Sequence, residues 1–419
     1  MQRSKTRFLA LAYLSGMVLI HAVLFWHSRQ LVVKGYPDFT IYYCAGTMVR
    51  TGLGYDLYND AEQYKVQRRF APDVAIRQDA LPYFHPPFEA LIFAPLTRLP
   101  YIRAFIAWDL LNVVVLVVVA FLFSDDISRH DSHSWAVWVL AGFAFFPIFL
   151  TLLQGQDSIV LLLVYTLVFV CLKKKAEKLA GGFLALGLFR PQLILPFLFL
   201  WLIRGGTKIL YGFLPIATFL ALVSLAVVGP NLFSYPTYVL RLDHTMAQGA
   251  LRPSDMPNLR GMFYILFHAQ PFAVALVVLL SVAILLLTAW LIRSGPRQEL
   301  FGWHFALALL TAVVTSYYCL GHDLSILLLP IALIATQWQS RQNVRTWPSA
   351  LMICSLVLLF FSPMQLFLVG YHRLGIIGWA VLLLFAGVVM QIWPPKRSGE
   401  LSGTGGDGLL MRASAPSRS

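Results

Sequence analysis

The residues of this 419-residue chain that can do chemistry fall in a few short clusters. Asp38 comes first, in Gly35-Tyr36-Pro37-Asp38-Phe39. Apolar residues from Phe39 to Val49 recur at near-helical spacing, which predicts a helix in a membrane interface with its apolar face on lipid. A carboxylate at the start of such a helix is favoured in its charged form by the dipole and suits a general base. It equally suits an ordinary helix cap.

Next is Tyr83-Phe84-His85-Pro86-Pro87-Phe88-Glu89. Glu89 falls about one turn into an apolar segment, where an unpaired charge costs about 2.5–3.5 kcal/mol, so it must be paired or line a site. Gln154-Gly155-Gln156-Asp157 separates two apolar segments; it is a tight turn around glycine, or a set of amides and a carboxylate suited to hydroxyl-rich ligands. Arg190, followed by Pro191 and Gln192, sits inside a long apolar run. A buried guanidinium there needs a carboxylate or a phosphate, which it can hold bidentately; on a continuous span it would instead snorkel. His322 and Asp323 open a Leu-rich run, where Asp323 also suits a cap. Arg260 and Asn258 stand in a polar stretch, residues 230–270, that a solvated loop also explains.

The elements that must position these groups are membrane helices. The chain is 58% hydrophobic and 12% charged, against about 45–50% and about 25% in soluble domains. Disorder, a collagen-like fibre and a disulfide scaffold are excluded. The net charge of +13 belongs to short basic loops that fix orientation, not to a nucleic-acid patch. The first apolar run, residues 8–26, follows Arg3, Lys5 and Arg7 and reads as a retained anchor.

Apolar runs at 86–99, 101–123, 134–153, 157–172, 179–203, 208–229, 271–292, 300–320, 323–338, 346–369 and 373–393 follow it. The fold class is therefore an all-α polytopic bundle of about 10–12 transmembrane helices, including short or re-entrant segments, with interfacial helices in an outer loop. Residues 1–393 form a single membrane domain, with outer loops 27–85 and 230–270, and residues 394–419 form a disordered cytoplasmic tail. Basic clusters at the N-terminus, Lys173 to Lys175, Arg204, Arg293, Arg341 and Lys396 place both termini in the cytoplasm. An even number of crossings before Lys173 then leaves no crossing for 86–99. That run is about 21 Å of helix against a core of about 30 Å. Arg190-Pro191, between two basic loops, predicts two half-helices meeting at Arg190 around a cavity that opens outward.

No Walker loop, GxGxxG after a strand, HExxH or GxSxG is present. The ordered residues instead resemble glycosyltransferase family 87, of the polytopic GT-C superfamily, which includes polyprenyl-phosphate-mannose-dependent mannosyltransferases. The likeness rests on Pro37-Asp38-Phe39 with Tyr42-Tyr43, Gly52-Leu53-Gly54-Tyr55-Asp56-Leu57-Tyr58, and His85-Pro86-Pro87-Phe88 with Ala94-Pro95-Leu96. Trp108, Asn112, Gly155-Gln156, Ala180-Gly181-Gly182 through Arg190-Pro191-Gln192, and His322-Asp323 complete it.

The resemblance implies a hexose, mannose by analogy, moved with inversion from a polyprenyl-phosphate donor to a lipid or glycan acceptor. Transfer would take place on the outer face of a bacterial-type plasma membrane. Asp38 would be the base; His322, Arg190, Gln192, Arg260 and Asp323 would face the donor. Tyr42, His85, Glu89, Gln156, Asp157 and Asn258 would line the cavity. The family often carries Lys where this chain has Arg190. No cofactor, metal or nucleic acid is implied. The alternative is a transporter or flippase of lipid-linked sugars, for which Asp109, within an apolar run, is the favouring residue.

Overall fold

Every regular element among the described residues is helical, which suits segments that must satisfy their own backbone in lipid. The computed structural model describes residues 2–71, 81–127, 134–246, 252–296, 298–340 and 345–393. The tail from Pro394, expected to be disordered, lies outside the described residues.

The chain opens with α1 (Gln2–Val33), α2 (Phe39–Arg50), α3 (Asp60–Phe70), α4 (Pro87–Phe93) and α5 (Tyr101–Ile127). A bent pair follows, α6 (Ser134–Ala144) and α7 (Phe146–Gln154), then α8 (Ser158–Lys173), α9 (Glu177–Leu186) and α10 (Pro191–Ile203). Next come α11 (Leu210–Val228), α12 (Tyr235–Met246), α13 (Leu259–Phe267), α14 (Pro271–Ser294) and α15 (Phe301–Thr315). The chain ends in α16 (Leu328–Ser340), α17 (Thr346–Phe360), α18 (Ser362–Gly370) and α19 (Ile377–Ile392).

Among the described residues five helical stretches are long and apolar enough to cross a membrane, and seven if each bent pair is one span. α8, α10 and α15 are apolar but shorter. The two bent pairs differ from the continuous runs that hydropathy alone suggests. α6 and α7 meet at 69°, and α17 and α18 at 60°. Pro147 and Pro363 explain both bends. Each stands in the first turn of the second helix, where its missing N–H does no harm, and each lacks the N–H that would continue the first helix and crowds the carbonyl four residues back.

α2 also differs from expectation. Phe39, Thr40, Ile41, Tyr42, Tyr43, Cys44, Ala45, Gly46 and Met48 are all buried, so the helix is enclosed by protein and has no lipid-facing stripe. Gly46 lets α4 approach, since a Cβ there would lie 2.8 Å from the Phe93 carbonyl carbon. Two apolar clusters result. One gathers α8, α9, α10, α15, α16 and α19; the other gathers α2, α4 and the start of α5.

Candidate active site

Three chain breaks build the site. The first is the turn after α7. Gly155 adopts φ 61°, and its N–H and that of Gln156 close the helix on Leu152 and Thr151. A Cβ at Gly155 would sit 2.7 Å from the Phe39 Cβ, so glycine also lets the start of α2 press against this turn. Asp38 is thereby set beside Gln154 and Gln156. The second break is Arg190, between a 3₁₀ turn (Gly187–Phe189) that ends α9 and Pro191, the first residue of α10. The third is a 3₁₀ turn, Gly321–Leu327, which carries His322 and Asp323 into α16.

Arg190 is 4% exposed and joins all three breaks. Its Nη2 donates to Asp157 Oδ1 at 2.6 Å and to Gln156 Oε1 at 2.9 Å, and lies 3.2 Å from the Tyr42 hydroxyl. Its Nη1 donates to His85 Nδ1 at 2.8 Å. Its Nε faces Asp323 Oδ1 at 3.3 Å, an ion pair not aligned as a hydrogen bond. Most of the guanidinium is therefore engaged by the protein itself. Two half-helices could not bury this cation without such partners.

Gln156 passes the arrangement on to Asp38. Its carbonyl accepts from Arg190 and Tyr42, and its Nε2 donates to Asp38 Oδ2 at 2.8 Å. Those partners fix which way the amide points. The Gln156 backbone carbonyl in turn accepts from Trp108 Nε1 and Asn112 Nδ2, each at 3.3 Å. Asp38 precedes α2 without making a side-chain cap, so its carboxylate is not spent on the helix end. Its N–H donates to Gln154 Oε1 at 3.1 Å.

Burial and then Arg190 hold the His85 ring down to about 3, so it is neutral and accepts at Nδ1. The same Nδ1 stands 3.0 Å from Glu89 Oε2. Burial raises both Glu89 and Asp157 to about 7, while Arg190, bonded to Asp157 Oδ1, favours the charged form there.

Asp323 behaves oppositely. Burial alone would raise it, but His322 and Arg190 hold it well below the usual carboxylate range. Its Oδ2 accepts the Leu320 N–H at 2.8 Å, so it caps its turn and faces Arg190 at once. His322 Nδ1 lies 3.0 Å from Ser158 Oγ and 3.4 Å from Asp323 Oδ1. Its Nε2 is buried and has no hydrogen-bond partner.

Two cavities meet at this cluster. The inner one, of ≈ 60 Å³, is walled by Asp38, Phe84, His85, Gln156, Arg190, Tyr318 and His322. The outer one, of ≈ 240 Å³, also touches Asp38 and His322. Among the residues expected at the site, Asp38, His85, Gln156, Arg190 and His322 face the inner cavity. Tyr42, Glu89, Asp157 and Asp323 form the buried layer behind them.

Three others stand apart. Asn258 caps α13 through the Gly261 N–H and donates to the Ser316 carbonyl, a structural use that its place before a helix signals. Arg260 lies 4.2 Å over the Tyr317 ring and donates to the Tyr317 carbonyl, lining neither cavity. Gln192 is half-buried in the first turn of α10 and also lines neither. Sequence reasoning missed Ser158, Phe84 and Tyr318. Ser158 follows the Gln154–Asp157 turn and offered the one local signal.

His85, Glu89 and Asp157 are also the kind of buried set that can hold a metal ion, with one ligand atom each within 4.8 Å of the others. Arg190, however, already sets a cation beside Asp157 and His85.

Fold and site together define a polytopic membrane protein with a buried, charge-paired pocket built on helix breaks. The sequence profile of glycosyltransferase family 87 matches residues 83–316, more than half of the chain, and the chain belongs to that family. Neither a curated protein nor a solved structure matches it. The matched range holds Arg190, Gln156 and His85 but not Asp38 or His322, whose parts rest on geometry.

Proposed function

We propose that this membrane glycosyltransferase moves a hexose, mannose by resemblance, from a polyprenyl-phosphate donor to a lipid or glycan acceptor, with inversion. The observation that carries this reading is Asp38. Its carboxylate is held by Gln156 at a cavity wall shared with the unpartnered Nε2 of His322. A base and a phosphate-facing donor on one small cavity are what direct displacement at an anomeric carbon needs.

In the step itself, an acceptor hydroxyl oxygen bonds to the anomeric carbon as the bond from that carbon to the phosphate oxygen breaks. The hydroxyl proton passes to Asp38. The electron pair of the broken bond leaves with the lipid phosphate. His322 donates from its unpartnered Nε2 to that phosphate, and Arg190, paired with Asp323, adds its field. Arg190 also orients Gln156 and, through it, the base. The basic short loops support an outward-facing pocket in a bacterial-type plasma membrane, with both termini in the cytoplasm.

Asp38→Asn is the test. Asparagine keeps an oxygen for Gln156 Nε2, so the fold should stand while the base is lost. Transfer from radiolabelled polyprenyl-phosphate mannose in membranes should fall by about 10²–10⁴-fold. Transfer at the wild-type rate would remove Asp38 from the mechanism. A protein that moves lipid-linked sugars without consuming them would point to the transporter reading instead.

A further inference from the structure

The outer cavity is not explained by a base and a leaving group. It shares Asp38, Leu320 and His322 with the inner one and is walled besides by Gln154, Arg252, Asp255 and His372 over a floor that includes Leu150 and Leu374. At ≈ 60 Å³ the inner cavity, which carries the base and the phosphate-facing groups, is the smaller of the two. The outer one, at ≈ 240 Å³, falls just under the range of about 300–1,000 Å³ typical of whole-ligand pockets. That size suits one ring of a larger ligand.

The two cavities differ in their charged lining. Arg190 faces only the inner one, while Asp255, Arg252 and His372 face only the outer one, which thus sets a carboxylate beside a guanidinium and an imidazole. Asp255 also carries a mark of an unmet partner. Its Oδ2 lies 3.2 Å from His372 Nδ1, while its Oδ1 is buried with no hydrogen-bond partner.

The surrounding backbone is built to hold that carboxylate. A Cβ at Gly261 would meet the Met256 carbonyl oxygen at 1.8 Å, and one at Gly375 would meet the Ser254 carbonyl oxygen at 2.8 Å. The turn bearing Asp255 is thus clamped between α13 and the turn after α18. His372 itself sits at φ 53°, in the left-handed cap that ends α18, where its N–H bonds back to the Val369 carbonyl and that of Arg373 to the Leu368 carbonyl.

We propose that this outer cavity is the acceptor subsite, in which Asp255, positioned by His372, takes hydroxyls of the acceptor's terminal sugar. Gln154 and Arg252 supply further polar contacts, and the apolar floor meets the ring's carbon face. The acceptor hydroxyl then reaches Asp38 from the side opposite Arg190, as inversion requires. This rests on the transferase reading above.

The test uses the full chain in detergent, decaprenyl-phosphate mannose as donor probe and octyl α-mannoside as acceptor probe. Slow hydrolysis of the donor, with water in the acceptor's place, reads the donor side alone. Asp255→Asn should raise the KM for octyl mannoside by about tenfold or more, the size of a lost charged hydrogen bond. Donor KM and donor hydrolysis should stay at wild-type values. Arg252→Gln, at an exposed position that threatens no folding, should raise the acceptor KM in the same sense.

A rise in donor KM, or no change in either constant, overturns the assignment. A wild-type protein that consumes the donor neither by transfer nor by hydrolysis fails the transferase reading, and the subsite falls with it.

Discussion

Replacing Arg190 by methionine tests the electrostatic design of the site most directly. The side chain keeps its length and loses its charge. Asp157, previously 2.6 Å from Nη2, and Asp323, previously 3.3 Å from Nε, are left buried without their cation. Removing one partner of a buried pair costs about 3–5 kcal/mol, because the remaining charge is stranded. Asp323 keeps its Leu320 N–H and its neighbour His322, so most of the penalty falls on Asp157.

A second substitution, Asp157→Asn, removes that stranded charge. The double variant should recover a large part of the loss, about 2 kcal/mol or more, which a cycle of the two singles and the double isolates. The assay is thermal unfolding of the detergent-solubilised protein, followed by tryptophan fluorescence. The order expected is Arg190→Met least stable, the double variant between it and wild type. An Arg190→Met protein as stable as wild type would refute the reasoning. So would a double variant less stable than Arg190→Met.

Two further outcomes follow from the same geometry. Glu89 keeps its proton in the fold to about pH 7, against an ordinary value of 4.5. Between those values the unfolded chain has lost a proton that the folded chain retains, so stability falls as pH rises through the window. Glu89→Gln should remove the share of that slope that Glu89 carries, so that the variant gains on wild type as pH rises from 5 to above 7; parallel melting curves across the range would count against a protonated Glu89. Separately, Gly181→Ala would set a Cβ 1.9 Å from the Ile209 carbonyl oxygen where α9 packs on the turn leading into α11. It should destabilise by about 1–3 kcal/mol or more. Gly182→Ala, whose nearest neighbour is 3.9 Å away, is the control, and size-exclusion profiles of detergent extracts compare the two.

How much of this was legible in the sequence depends on where each cause lies along the chain. The break at Arg190 could be read locally. A guanidinium in an apolar run needs partners, proline cannot continue the hydrogen bonding of a helix, and both facts sit in adjacent residues. The bends at Phe145 and Phe361 had the same kind of signal in Pro147 and Pro363. Hydropathy ran through them unbroken, because a proline in a first turn leaves the apolar count unchanged.

Burial of α2 could not be read in this way. Its spacing gives an apolar face, and only the approach of α4 at Gly46 decides whether protein or lipid covers the rest. Pairings across the chain were still less accessible. Arg190 meets His85, Asp157 and Asp323 from three separate turns, and Asp255 meets His372 across more than a hundred residues. Sequence reasoning weighed the polar residues mostly one at a time and divided them among base, donor contacts and cavity wall. The fold instead sorts them into layers. Asp38 and His322 stand at the junction of two cavities, while Glu89, Asp157 and Asp323 lie behind and set the charge that the front residues carry. That sorting gives Arg190 its meaning. A cation whose N–H groups already face the protein is better placed to hold Gln156 and Asp38 in position than to grip a substrate.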